Sequence, residues 1–181
     1  LKKFAPLLFL LLTPILLGSN PVIHGLEKTH INKSDPQQIG SWKKTPTVLI
    51  CPPSPVTKEH ALKAVKWWEA RGHRFFRTID RQDPLGKCKA YAPEGFITIH
   101  LAPRDMFDID DPSLAETHFY VDDDTGEISW AKIYLRLIPN ERVLEHELGH
   151  ALGFMHTEAL GHLMHGKILA GGWDDKGLKR R

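Results

Sequence analysis

The feature that most constrains this chain is the run His146-Glu147-Leu148-Gly149-His150-Ala151-Leu152-Gly153-Phe154-Met155-His156. Residues four apart in a helix lie one turn above each other on the same face. His146 and His150 can therefore direct two imidazole nitrogens at one metal ion. Glu147, beside His146, can reach a water held on that metal. Gly153 can take a backbone angle closed to most residues, end the helix and turn the chain sharply. The turn lets His156 return as a third ligand. Three protein ligands leave a fourth tetrahedral position for water, which separates a catalytic zinc from a closed structural one. Each histidine alone would pass for a surface or capping residue. Three at ligand spacing, with a carboxylate beside the first, make that reading poor.

The rest of the composition sets bounds. A chain of 181 residues suits one domain of ordinary size. With 41% hydrophobic and 25% charged residues, most of it should fold as a soluble globule. The net charge of +2 gives no reason to expect a nucleic-acid partner. The basic tail Lys176–Arg181 reads as a solvated end. Residues 1–25 read as a signal peptide. Lys2 and Lys3 form its positive end, and Leu7 to Leu17 its apolar run, broken by Thr13 and Pro14. That run is too short to span a bilayer comfortably, so no stable membrane insertion is expected once it is removed. Cleavage would fall near Gly18-Ser19 or after Gly25; an uncleaved anchor is the alternative. The expected location is secreted or periplasmic. Two cysteines, Cys51 and Cys88, permit one disulfide in an exported domain, with two buried or free thiols as the alternative.

Along the chain, residues 26–45 are polar and aperiodic and read as a linker or an arm lying over the domain, which would occupy 46–181. Thr47 to Cys51 reads as a buried strand stopped by Pro52 and Pro53. Thr57 is a suitable N-cap for a helix from about Lys58 to Arg71, with Ala61, Leu62, Val65 and Trp68 on one face and Gly72 at its end. Trp67 and Trp68 read as core packing rather than a binding platform. Arg74 to Ile79 is a second strand, and Gly95 to Leu101 a third, half-buried one with His100 on the outer face. His118 to Val121 and Ile128 to Leu137 are strands around the acidic turn Asp122-Asp123-Asp124-Thr125-Gly126-Glu127. That turn is an ordinary hairpin or, with its hard oxygen ligands, a calcium site. Asn140 and Glu141 suit the start of the histidine-bearing helix, whose Val143, Leu144, Leu148, Ala151 and Leu152 would be buried.

The stretch 146–156 resembles the extended zinc signature of the metzincins, His-Glu-x-x-His-x-x-Gly-x-x-His, at every fixed position, and Met164 looks like the methionine of their Met-turn. The resemblance covers residues 46 to about 173, and the turn and strand from Asp124 to Tyr134 are similar to bacterial matrixin-type members. It implies an α+β, zincin-type domain with a twisted mixed sheet, two main helices and a Met-turn. It also implies one catalytic Zn2+ held by His146, His150 and His156, with Glu147 as general base and Met164 as the floor beneath the histidines. The reaction would be hydrolysis of a protein or peptide bound as an extended strand along a sheet edge at His118 to Val121. Cys51 lacks the motif that surrounds the latency cysteine of matrix metalloproteases, and no tyrosine closely follows Met164. Only residues 167–181 remain for a C-terminal helix. His162 and His165 flank the methionine as supporting or solvated groups. A catalytically silent zinc-binding module and a zinc amidase acting on cell-wall peptides stay open beside the endopeptidase.

Overall fold

The structure, a computed structural model, describes residues 22–24, 35–80, 88, 93–108, 110–111, 113–139, 142–167 and 172–180. The elements run β1 (Val22–His24), β2 (Ser41–Trp42), β3 (Thr47–Ile50), α1 (Lys58–Glu69), β4 (Arg77–Asp80), β5 (Phe96–Leu101), β6 (Ala115–Val121), β7 (Glu127–Leu135) and α2 (Val143–Ala151). This is an α+β architecture in which one seven-stranded sheet carries two helices. The strand order is β1-β6-β7-β5-β3-β4, with β2 pairing to β7 off that path. Only the β6–β7 pairing is antiparallel; it is the hairpin closed by the acidic turn. No helix among the described residues is long and apolar enough to cross a membrane.

Alternation along the strands decides which face meets the helices. Ile97 and Ile99 of β5, Ala131 and Ile133 of β7 and Phe119 of β6 are fully buried on that face. They pack into one core with Ala61, Ala64, Val65 and Trp68 of α1 and Val143, Leu144 and Leu148 of α2. Trp68 joins the helices: its indole N–H donates to the Glu145 carbonyl at 2.8 Å, and its ring stacks on Phe154 with centroids 5.5 Å apart. The Trp67–Trp68 pair is thus core and helix packing.

Several boundaries differ from the sequence reading. The inward face of α1 uses Ala64, not Leu62, because Ala61, Ala64, Val65 and Trp68 fall at i, i+3, i+4 and i+7 on one face. Thr57 caps it as expected, accepting from the His60 N–H at 3.3 Å. The second strand begins at Arg77 rather than Arg74, since His73 turns inward and bonds the Leu178 carbonyl at 2.8 Å. The strand β5 is central and buried on both faces at Thr98, rather than half-buried; its His100 stacks on Tyr134 on the far face. The helix α2 starts at Val143 with Arg142 at its N-cap and no side-chain capping bond. Asn140 and Glu141 lie outside the described residues, as do residues 1–21 of the leader-like stretch.

Two strands have no counterpart in the sequence reading. Strand β1, within the span read as leader, pairs in parallel along β6, Val22 opposite His118, Ile23 opposite Phe119 and His24 opposite Tyr120. The β6 strand is therefore not a free edge. Strand β2 belongs to an arm that straps the end of α2. Met155 N–H donates to the Gln37 carbonyl at 2.8 Å and Ile39 N–H to Gly153 at 2.9 Å. The Gln38 amide donates to Leu152 at 3.0 Å and the Trp42 indole to Ala151 at 2.7 Å. Cys51, at the end of β3, is disulfide-bonded to Cys88 with Cα atoms 5.4 Å apart, so its sulfur is not a metal ligand.

The strap explains the demand on Gly153. Its φ is +92°, and a Cβ there would stand 2.4 Å from the Gly40 carbonyl oxygen. Gly95, with φ +81°, has nothing within 4 Å of such a Cβ. Gly95→Ala should cost about 1–2 kcal/mol from the left-handed backbone alone. Gly153→Ala adds a collision with backbone and should cost about 1–3 kcal/mol more. Urea unfolding of the two variants checks this; equal losses would refute the close approach.

Candidate metal centre

All nine residues of α2 are buried. A helix sunk this deeply would normally be apolar throughout, yet it carries Glu145, His146, Glu147 and His150 at 3%, 3%, 3% and 1% exposure. The polar groups must find partners inside the protein. Two of the histidines find backbone carbonyls: His146 Nδ1 lies 2.7 Å from Leu163 O, and His150 Nδ1 lies 2.7 Å from Phe154 O. A carbonyl only accepts, so both rings carry their proton on Nδ1 and turn a bare Nε2 lone pair the other way.

Those lone pairs converge. The Nε2 atoms of His146, His150 and His156 are 3.0, 3.0 and 3.1 Å apart. Gly153 ends the helix and brings His156 back, as its spacing implied. At most one proton, on His156, is available for three such contacts, and His146 faces His150 with none. A shared cation resolves that arrangement. Ligand nitrogens at about 2.0–2.1 Å from a tetrahedral zinc would stand about 3.3 Å apart, so the group fits a metal of that size with a small outward relaxation. Among the described residues, these three are the only cluster of three or more His, Cys, Asp or Glu whose ligand atoms converge in this way.

Burial dominates the electrostatics. It lowers the pKa of His146 to about 4 and that of His156 to about 3, and it holds His150 well below the ordinary range. All three are neutral at pH 7, the form that binds metal. Burial pushes the Glu147 carboxyl up to about 8, opposed by a hydrogen bond from Thr117. That bond runs from Thr117 Oγ1 to Glu147 Oε2 at 2.5 Å. Thr117 is fully buried on β6 and faces the helices. It fixes one carboxylate oxygen and leaves Oε1 for other chemistry.

The methionine turn supports the histidines from below. Met164 is fully buried against Gly149, where a Cβ would lie 2.4 Å from its sulfur. His162 pins the turn: its Nδ1 accepts the Met164 N–H at 2.9 Å, and its Nε2 donates to the Lys176 carbonyl at 3.0 Å. His165 Nδ1 accepts the Lys167 N–H at 3.0 Å, and its backbone N–H donates to the His162 carbonyl at 3.1 Å. The acidic turn closes a hairpin; Asp122 Oδ1 accepts the Thr125 N–H and hydroxyl at 2.9 and 2.8 Å.

The sequence reading expected His146, His150 and His156 to share a metal, with Glu147 and Met164 beside them; the structure brings the three histidines together, with Glu147 on the same helix and Met164 packed against it. It missed Thr117, because it began that strand at His118. The available signal was one polar residue in the alternation Ala115, Thr117, Phe119, Val121. The Leu163 and Phe154 carbonyls have no side-chain signal at all. Searches of protein-family models and of curated proteins gave no match to this chain.

The lowered histidines have a consequence for the metal-free protein. Their folded pKa values lie below the unfolded 6.5, so their contribution is full above pH 6.5 and is lost as pH falls through about 4. Glu147 has the opposite sign, contributing most below 4.5 and losing this as pH rises through about 8. Three histidines outweigh one carboxyl on the acid side. The urea midpoint in chelator should peak near pH 6.5, fall steeply toward pH 4 and decline gently toward pH 8. A midpoint unchanged between pH 6.5 and 4.5 would contradict the assignment.

Proposed function

We propose that this chain is a zinc-dependent endopeptidase of metzincin type, exported from the cell that makes it. The observation that carries the reading is the convergence of three neutral imidazoles beside a buried carboxylate that another side chain holds in place. A purely structural site has no need of that carboxylate, and burying it is costly. The motif from His146 to His156 and the methionine at 164 are what connect this geometry to the metzincins.

His146, His150 and His156 would hold the ion through Nε2. Bound zinc supplies Lewis acidity, which lowers the pKa of a water and polarises the scissile carbonyl. Glu147 takes a proton from the attacking water and later gives it to the leaving amine. A cation bound beside it would favour the ionised form that accepts this proton. Thr117 keeps Oε2 engaged, so Oε1 makes the transfer. The Leu163 and Phe154 carbonyls hold two of the imidazoles in the tautomer the ion requires.

Cleavage of an unfolded protein by the full chain tests the reading, run with zinc, with a chelator and as Glu147→Ala. Activity should vanish in both controls, falling at least about a hundredfold for the variant, while the variant still binds one zinc. A variant that cleaves at near wild-type rate would sink the role of Glu147. No cleavage with zinc bound would favour the silent module. Cleavage confined to cell-wall peptides would favour the amidase.

The extended substrate expected along β6 meets Val22–His24 already paired there. Substrate backbone and β1 would compete for the same hydrogen-bonding groups. A chain beginning at residue 26 should therefore cleave with lower KM than one beginning at residue 19, with kcat little changed. Equal KM values would place substrate elsewhere than on β6.

A further inference from the structure

Four elements meet beyond the end of α2: the strap, the turn after α1, residues 152 and 154, and the C-terminal segment. Together they line a cavity of about 550 Å³ that is open to solvent. Each of three elements brings a cation to its wall. Lys43 comes from the strap, Arg74 follows α1, and Lys179 and Arg180 come from the C-terminal segment. No Asp or Glu lines it. In a chain whose net charge is only +2, four cations around one cavity are a marked concentration.

These charges are largely uncompensated. Lys43 pairs with Glu127 at 3.1 Å, at the surface. Arg74, Lys179 and Arg180 have no ion pair and no side-chain hydrogen bond among the described residues. The side chains of Lys176, Lys179 and Arg180 are exposed, as expected of a solvated basic end, but the backbone that carries them is anchored. Leu178 is fully buried, and the Arg180 N–H donates to the Arg71 carbonyl at 3.0 Å, fixing the segment that carries Lys179 and Arg180. Burial is the main reason the His73 pKa is lowered, with Leu178 opposing; the Arg180 charge adds to the lowering, so its field reaches this wall.

Cations near a helix C-terminus often serve its exposed carbonyls. That need is met here by neutral donors. The Ala151, Leu152 and Gly153 carbonyls already accept from Trp42, Gln38 and Ile39. The cations are free to face a ligand instead. Ser41 and Thr45 add hydroxyl donors to the same wall.

We propose that this cavity binds a small ligand bearing clustered anionic oxygens, of the phosphate or polycarboxylate class. Two guanidinium groups offer paired N–H donors that match the planar fork of such oxygens, and the two lysines add point charge. The site is separate from the metal: Phe154 stands between them, with its carbonyl on His150 and its side of the chain at the cavity wall.

Calorimetric titration of the full-length zinc-loaded protein tests this, using sulfate, inorganic phosphate and succinate, with chloride at matched ionic strength as the blank. Saturable binding with a Kd of about 1 mM or tighter is expected. Arg74→Gln combined with Arg180→Gln should weaken it at least tenfold. Lys58→Gln combined with Lys66→Gln, exposed cations of α1 outside the cavity, should leave it unchanged. Saturation by sulfate and phosphate assigns the phosphate class, and saturation by succinate alone the carboxylate class. An unchanged thermal midpoint without anion shows that the glutamine variants fold. No saturation by any probe up to about ten times that concentration, or equal binding by both double variants, would overturn the proposal. Neither result depends on peptide hydrolysis.

Discussion

Three imidazole nitrogens held 3.0–3.1 Å apart in a buried site repel one another unless a cation lies among them. Much of the structure serves to keep them there. Leu163 and Phe154 turn their carbonyls onto the far nitrogens of two rings, which removes any choice of tautomer. Met164 fills the space against Gly149, so the turn carrying Leu163 cannot drift from the helix. His162 holds that turn to the C-terminal segment through the Lys176 carbonyl. A ligand geometry that looks local in sequence is thus held by residues spread from 146 to 176.

The sheet contributes from the other side. Strand β6 lies against α2 and presents Thr117 to Glu147, so the one polar residue in that register meets a buried carboxylate. The helix itself is buried along its whole length, and its polar side chains are tolerable only because sheet, turn and helix end supply partners. The strap completes the enclosure. It takes up the carbonyls at the end of α2 with neutral donors, and the close approach of Gly40 to Gly153 shows how tightly it lies.

Much of this was legible because it follows from short-range rules. The i, i+4 spacing of His146 and His150 and the glycine before His156 depend on helix geometry alone. The hairpin around Asp122 to Glu127 follows from turn chemistry, and the Thr57 cap from an orphan N–H needing an oxygen. Long-range partners were not legible. Ala64 in place of Leu62 on the inner face of α1 is not such a case, since Ala61, Ala64, Val65 and Trp68 are the i, i+3, i+4, i+7 set of one helix face. The second strand starts at Arg77 rather than Arg74, after His73 has turned inward to the carbonyl of Leu178, 105 residues away. The strand β2 has only two residues, too few for any alternation to register.

The sequence alone determined the spacing of the three histidines, the carboxylate beside them, the methionine downstream and the mixed strand-and-helix content, since each is written in spacing or in local preference. Tertiary structure alone decided which oxygen steadies Glu147, which carbonyls orient the histidines and what lies along β6. It also decided that four scattered cations surround one cavity. The physical reason is the same in each case: hydrogen bonds, close packing and charge depend on distance in space. Residues 22 and 118, or 43 and 180, become neighbours only when the sheet and the strap close around the core.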